Sequence, residues 1–408
     1  MSRPTLREIE NLLTKGVSNC IDRAHLEKRL LAWEKLVVKF GIDPSGTKIH
    51  IGHMVPILKL RAFQELGHTI ILLIGDATAQ VGDTSDKDAE RPMLAREETR
   101  KNAEAFLEKF GKILDLSKIN IYLNSEWLDS VNFAGVGELA KNFSVAEMLD
   151  RDNFSKRFKS GIRISLQEFL YPIMQGYDSV AIARKYGSCD VEIGGNDQYF
   201  NILAGRRMMD AFGLPKQDII TFDLLTGTDG KKMSKTSPNC IAIDDTPFDM
   251  YQKIINLHDD MITHYAELAT DMSLEEVEVV KKRLAHGEAP NILKEELAQR
   301  IIMMYHGKPY DPESTDSIEV FTLSHPELVS GSIQISTLLK AIRFCATTGD
   351  VKNALAGKSV RINGEVITDP KYMVKIPQES ILVEMGKKKA KRLFSTLPTT
   401  NGTNLENK

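Results

Sequence analysis

The run Leu36-Val37-Val38-Lys39-Phe40-Gly41-Ile42-Asp43 passes through Pro44-Ser45-Gly46 to His50-Ile51-Gly52-His53, then into an apolar-periodic stretch that Gly67 stops. A strand, a turn built from turn-forming residues and a helix make the opening unit of an α/β layer. Thr69 to Ile74 follows as an unbroken apolar run, the kind buried on both faces of a parallel sheet. The pattern then repeats, with a helix over 95–110, a strand over 119–123 and a helix over 166–186 whose first turns Pro172 strains. A strand over 189–193, a helix over 197–212 and a strand over 219–225 complete it. Strands alternating with helices require right-handed crossovers, so the fold class expected is α/β, a Rossmann-like doubly wound parallel sheet.

After Thr236 the periodicity changes. Residues 248–306 read as almost entirely helical, and a loop follows at 307–312. From Ile333 the chain reads helix, helix, then short strands around 360–366, where Asn363-Gly364 is a strong hairpin signal. A chain of 408 residues has room for two to three domains. The expected division is a Rossmann-like domain over 1–236, a helical domain over 237–325 and a small α+β module over 331–395. A polar, apolar-poor tail over 396–408 is expected to be disordered.

Charge is distributed unevenly. Residues 331–395 hold 12 Lys/Arg against 5 Asp/Glu, so the remainder of a chain with net charge −3 is strongly acidic. A basic module on an acidic body suits a polyanionic partner, or else a solvated charged surface. Cys20, Cys189, Cys240 and Cys345 are scattered without metal-ligand spacing, so reduced thiols and no protein-bound metal are expected. No apolar run is long enough to span a bilayer and no secretory h-region opens the chain, so a cytoplasmic protein off the membrane is expected.

The turn after the first strand ends at a helix start, whose backbone N–H groups favour an anion. His50 and His53, three residues apart, share one face there, and Gly52 lets a ring approach the backbone. Neither a Walker A loop nor a GxGxxG fingerprint occurs near this turn. Far along the chain, Lys231-Lys232-Met233-Ser234-Lys235-Thr236 sits among Gly227 and Gly230, a basic flexible loop suited to close over a phosphate chain. Alone, the histidines read equally as a cap with a surface neighbour, and the lysines as a solvated loop.

Between these segments, Tyr171, Gln175 and Asp178 stand at i, i+4 and i+7 of one helix, spacing that usually carries core residues. Polar groups on an inward face need partners, and a pocket for a small polar molecule supplies them. Gly194-Gly195-Asn196-Asp197-Gln198 follows a strand. Its glycines permit close approach of a nucleotide, and its Asn or Asp alternatively caps a helix. Asp83, after Gly82 near the end of another strand, either binds an ammonium group or caps a turn.

His50-Ile51-Gly52-His53 and Lys232-Met233-Ser234-Lys235-Thr236 resemble the HIGH and KMSKS motifs of class I aminoacyl-tRNA synthetases. With YxxxQxxD at Tyr171, Gln175 and Asp178, a GG[ST]DQ-like segment at Gly194 to Gln198 and a GDPSG-like segment from Gly82, nearly the whole chain resembles the tyrosyl-tRNA synthetases. The resemblance implies a ligase that activates tyrosine with ATP and Mg²⁺ and transfers it to the 3′ end of tRNA(Tyr). His50, His53, Lys232, Lys235 and Thr236 would then be catalytic, and Asp43, Gly52, Gly195, Asp197, Gln198 and Lys235 would bind ATP or the adenylate. Asp83, Tyr171 and Gln175 would hold the α-ammonium group of tyrosine, and Asp178 the phenol hydroxyl. Lys39 stands where many members carry Tyr; it either donates to that hydroxyl or pairs with Asp178. Asn196, Thr84 and Asp86 also depart from the family pattern. A site that hydrogen-bonds a hydroxyl rejects the analogue lacking it by roughly 10⁴–10⁵, a magnitude for which tyrosyl-tRNA synthetase is itself the reference case, so no editing domain is needed.

Residues 336–394 resemble an S4 RNA-binding domain, on Val360-Arg361-Ile362-Asn363-Gly364-Glu365-Val366-Ile367-Thr368-Asp369-Pro370; Thr347 to Val351 departs from its usual basic segment. That implies RNA-phosphate contacts from Arg343, Arg361, Lys387, Lys388 and Lys389. The helical domain would recognise the anticodon, and the family is homodimeric.

Overall fold

The computed structural model describes residues 3–83, 94–231, 233, 239–311, 319–323, 332–375, 381–386 and 389–395. Strands β1 (Val17–Ile21), β2 (Val37–Ile42), β3 (Thr69–Ile74), β4 (Asn120–Leu123), β5 (Val191–Gly195) and β6 (Asp218–Phe222) form one sheet in the order β1-β6-β5-β2-β3-β4. β6, β5, β2, β3 and β4 run parallel, and are the strands expected from the apolar runs. β1 is an addition: it lies antiparallel against β6 at the sheet edge. Its Ser18, Asn19 and Cys20 interrupt the apolar pattern, as a partly exposed edge strand permits.

Both sheet faces are covered. The helix Ile51–Glu65 buries Met54, Ile57, Leu60 and Phe63, and all of β3 after Thr69 is sealed. The helix Leu166–Tyr186 runs unbroken past Pro172, capped by Ser165 with Glu168 at its start and by Gly187 in the left-handed region at its end. It packs closely on the helix Tyr199–Ala211: a Cβ on Gly176 would lie 2.9 Å from the Ala204 carbonyl oxygen. The helix expected from Asp197 begins instead as a 3₁₀ turn over Asn196–Gln198. β6 ends at Phe222 rather than 225, where the chain turns outward and Leu224 is exposed.

By internal contacts the chain divides into two compact units, Met1–Asp245 with Lys253–Pro309 and Thr246–Gln252 with Tyr310–Lys408. The first holds the sheet together with helices Ile262–Leu268, Leu274–Ala285 and Pro290–His306, in keeping with the helical reading of that stretch. The second contains β7 (Glu319–Leu323), β8 (Ser332–Gln334), β9 (Val360–Ile362), β10 (Glu365–Ile367), β11 (Met373–Lys375), β12 (Ile381–Met385) and β13 (Lys389–Ser395). Its sheet has the order β10-β9-β12-β13-β7, and β11 pairs with β8. Helices Ile335–Ala341 and Thr348–Ala356 bury Leu338, Leu339, Val351 and Leu355 in one core with Val360, Ile381 and Val383. Asn363 and Gly364, at φ +48° and +85°, make the two-residue turn that joins β9 to β10. The tail over 396–408 lies outside the described residues.

Candidate active site

The chain adds β3 and β4 on one side of β2, then β5 and β6 on the other. β2 and β5 therefore flank the topological switch point, and the crevice beyond their C-terminal ends is where such sheets bind ligands. Asp43 leaves β2 there, and Gly195-Asn196-Asp197 leaves β5.

His50 is the N-cap of the helix Ile51–Glu65, and His53 Nδ1 accepts from the His50 backbone N–H at 3.3 Å. Their ring centroids stand 3.8 Å apart, and a Cβ on Gly52 would lie 3.0 Å from the His50 ring. The two histidines are thus both a cap and a pair at a helix N-terminus, where the dipole favours an anion. Ile51 N–H donates to the Ile241 carbonyl and Ile243 N–H to the Ile49 carbonyl, both at 3.0 Å. This pairing brings the chain that follows the lysine loop back onto the histidine turn. The loop base is built: Asn239 Nδ2 donates to Asp229 Oδ1 at 2.8 Å, and Thr228 N–H to the Asn239 carbonyl at 3.1 Å. Lys231 is exposed and Met233 buried; Lys232, Lys235 and Thr236 lie outside the described residues.

Asp43 links the turn after β2 to Thr78 and to the helix Leu166–Tyr186. It accepts from Thr78 Oγ1 at 2.7 Å and from Tyr171 Oη at 3.0 Å. The approach depends on Gly75, where a Cβ would fall 1.9 Å from Asp43 Oδ1. Burial, with Asp43 and Asp83 nearby, pushes the Tyr171 phenol well above its usual value. Asp83 and Gln198, far apart in sequence, meet at 2.7 Å, and Asn201 Nδ2 donates to Gln198 Oε1 at 3.0 Å. Arg151 reaches Asn201 at 3.0 Å, a contact that no motif signals. Asn196 Oδ1 accepts from Asn19 at 2.8 Å and from Thr221 at 3.3 Å, so the departure at this position ties the turn to β1 and β6.

Asp178 is buried and receives Trp127 Nε1–H at 2.7 Å and Asn124 Nδ2–H at 3.3 Å. Burial raises its carboxyl to about 7, against the lowering pull of Lys39, Trp127 and Asn124. Trp127 and Asn124 belong to no motif; their short segment offers no periodicity from which to read a role.

Lys39 corrects one expectation. Its ammonium does not pair with Asp178; it pairs with Glu192 Oε1 at 3.0 Å and donates to Ser179 Oγ at 2.7 Å. Lys39 and Glu192 are in-register partners on β2 and β5, so the cross-strand neighbour takes the charge. Burial is the largest single influence and works against that charge, yet Glu192, Cys189 and Asp178 together hold the ammonium pKa above its ordinary value. Gln175 Nε2 donates to Glu192 Oε1 at 3.3 Å. The signal for Glu192 was present: a carboxylate inside an apolar strand, like the lysine inside the strand beside it.

In the second unit Arg343 and Arg361 are exposed, and Lys389 opens β13. Lys387 and Lys388 lie outside the described residues. Among the described residues, no cluster of His, Cys, Asp or Glu is arranged to hold a metal ion, and no helix is long and apolar enough to cross a membrane.

Comparison with known proteins adds a family. The profile of class I tRNA synthetases (W and Y) matches residues 32–321. The tyrosine–tRNA ligase of Thermotoga maritima is 39% identical over 398 residues, covering 95% of this chain and 98% of its own length. That of Francisella tularensis is 38% identical over 399 residues, covering 96% and 99%. Among solved structures, a C-terminally truncated mitochondrial tyrosyl-tRNA synthetase of Aspergillus nidulans superposes with TM-score 0.63 at 23% identity, over 74% of this chain and 91% of that one. The Archaeoglobus fulgidus tyrosyl-tRNA synthetase, solved with L-tyrosine, gives TM-score 0.59 at 22% identity over 73% and 97%. At these identities the likeness speaks to the fold.

Proposed function

The chain belongs to the class I tRNA synthetases of the W and Y type, and from that premise we infer that it joins tyrosine to tRNA(Tyr). It activates L-tyrosine with ATP, releasing pyrophosphate, and then passes the tyrosyl group to the 3′ end of the tRNA. The observation that carries the tyrosine reading is Asp178, a buried carboxylate in the row with Tyr171 and Gln175, with Trp127 and Asn124 fixing its oxygens.

In the first step a tyrosine carboxylate oxygen attacks the α-phosphorus and the bond to the β-phosphate oxygen breaks. His50, His53 and the helix N-terminus steady the phosphates, while Lys232, Lys235 and Thr236 neutralise the departing pyrophosphate, which leaves with the Mg²⁺ that ATP brings. Asp43, Gly52, Gly195, Asp197 and Gln198 hold the nucleotide. Asp83, Tyr171 and Gln175 take the α-ammonium and Asp178 accepts from the phenol. In the second step a terminal ribose hydroxyl attacks the adenylate carbonyl and AMP leaves. No covalent enzyme intermediate forms; catalysis is positioning and charge stabilisation.

Residues 331–395 act as the S4-like RNA module, Arg343, Arg361 and the lysines 387–389 meeting phosphates, and 237–325 as the anticodon domain. The working form is a homodimer in the cytoplasm. Support for a second copy comes from large apolar side chains exposed within 133–166: Phe133 at 94%, Leu166 at 81%, Val145 and Phe158. Isolated exposed residues are ordinary, but several in one stretch suit an interface.

ATP–pyrophosphate exchange over a panel of amino acids, tryptophan and phenylalanine included, tests the substrate; exchange driven best by another amino acid overturns tyrosine. Single-turnover adenylate formation tests the site: His53→Ala and Lys235→Ala each slow it while tyrosine affinity barely moves. Unchanged rates sink the phosphate assignments.

A further inference from the structure

Between β2 and β5 lies a pair of opposite charges with no direct access to solvent. Lys39 and Glu192 have side chains 1% and 2% exposed. Desolvating two charges costs several kcal/mol per ion, and apolar residues of similar size would hold the strands together as well or better. Packing alone therefore does not account for the pair.

Every hydrogen-bonding partner of Glu192 is a donor. Oε1 takes Lys39 Nζ at 3.0 Å and Gln175 Nε2 at 3.3 Å; Oε2 takes Ser179 Oγ at 3.3 Å and a short bond from Gln217 Nε2. The helix above presses on this cluster at Gly205, where a Cβ would lie 2.5 Å from Gln217 Nε2 and 2.6 Å from Ser179 Oγ. Ser179, Gln217, Lys39 and Glu192 are buried, whereas Gln175 is only half-buried and stands in the row with Tyr171 and Asp178.

A side-chain amide has a donor end and an acceptor end, and its environment decides which faces where. An ionised carboxylate only accepts. Glu192 therefore draws the NH₂ of Gln175 inward and leaves the amide oxygen on the side away from the cluster. An oxygen there accepts from an ammonium group; an NH₂ there would oppose it. Lys39 in turn donates to the same Glu192 oxygen as Gln175, so that both oxygens of the carboxylate are held by donors.

We propose that the buried Lys39–Glu192 pair is a positioning device that sets the polarity of Gln175, so that Gln175 presents an acceptor to the substrate α-ammonium. This rests on the assignment of Gln175 to the ammonium group. Lys39 and Glu192 themselves touch no substrate.

The test uses two ligands on the full-length protein, by calorimetry without ATP. Tyramine keeps the phenol and the ammonium; 3-(4-hydroxyphenyl)propionate keeps the phenol and lacks the ammonium. Glu192→Gln alone leaves a buried unpaired lysine and can fail to fold, so the main variant is Lys39→Met with Glu192→Gln, which removes both charges and frees the amide to turn. The dissociation constant for tyramine is expected to rise about tenfold, that for the propionate to stay within about twofold. Adding Gln175→Glu, whose carboxylate has no donor end, is expected to restore tyramine binding. Equal weakening of both ligands, unchanged tyramine binding, or no rescue overturns the proposal. Gln175→Ala separates the premise: a loss confined to tyramine supports the ammonium assignment, and equal effects on both ligands remove it and the proposal with it.

Discussion

Asp178 sits at 2% exposure with an indole N–H and an amide N–H on its two oxygens; Lys39 and Glu192 are sealed beside it. In the second unit the arrangement is inverted. Its core of Ile335, Leu338, Val351, Val360 and Val383 is wholly apolar, and Arg361 stands exposed between buried Val360 and Ile362. Charge held out of water acts over one geometry and is little screened by salt. Charge left in water acts over many geometries and weakens as salt rises. The first kind suits recognition of one small molecule by its hydrogen bonds, and the second suits contact with a phosphate backbone, as the proposed function requires.

The largest effect expected on the buried side is from Asp178→Asn. It keeps size and removes the carboxylate that, on the proposed function, accepts from the phenol. The preference for tyrosine over phenylalanine, as the ratio of kcat/KM in pyrophosphate exchange, should fall by about 10⁴; the reference case for this magnitude, about 10⁵, is itself a tyrosyl-tRNA synthetase. A ratio that stays high would break the contrast at its buried end.

Trp127→Phe sharpens the same point with a smaller change. It keeps a ring and removes one charge-assisted donor, typically about 1.5–3 kcal/mol. Tyrosine kcat/KM should drop about tenfold or more while that for phenylalanine hardly changes. Equal losses for both would make Trp127 a packing residue only.

Five strands and the hairpin turn at Asn363-Gly364 were legible because long apolar runs and turn residues are local signals. The strand-to-helix turn at His50 and the Tyr171-Gln175-Asp178 row on one helix were legible by spacing. β1 was not, since an edge strand needs no apolar alternation and its partner β6 lies far along the chain. Nor were Trp127, Asn124 and Glu192 readable as partners of that row: each is unremarkable locally, and only the parallel register of β2 on β5 aligns Lys39 with Glu192. Lys39 alone invited pairing with Asp178, the acid already in view, because strand order cannot be read from one strand.

Asp178 also gives the pocket a pH response. Burial, which disfavours the ionised form, lifts its pKa from an ordinary 3.8 to about 7 in the fold. The folded state thus binds more protons between those values, and stability falls as pH rises through that window, the cost being complete above about 7. Function runs the other way on the proposed role: an ionised carboxylate accepts from a phenol more strongly than the protonated acid, so the KM for tyrosine should rise several-fold as pH falls from 8 to 6. Lys39, Glu192 and Tyr171 also face this group, and Asp178→Asn is the control that should flatten the profile. A profile unchanged in Asp178→Asn would assign the titration elsewhere.

The smallest effect belongs to the exposed side. Arg361→Ala removes one solvated charge on β9, opposite Glu384 of β12 and Val366 of β10. Tyrosine activation should be untouched, and tRNA affinity should fall only a few-fold at low salt. The diagnostic quantity is the slope of log affinity against log salt, which should shrink by about 1 for a lost phosphate contact. A change in affinity with no change in slope would mean that Arg361 works by packing or by reading a base. The same salt series on tyrosine binding should stay nearly flat, because the charges around Asp178 and Glu192 are closed off from the ions that screen Arg361.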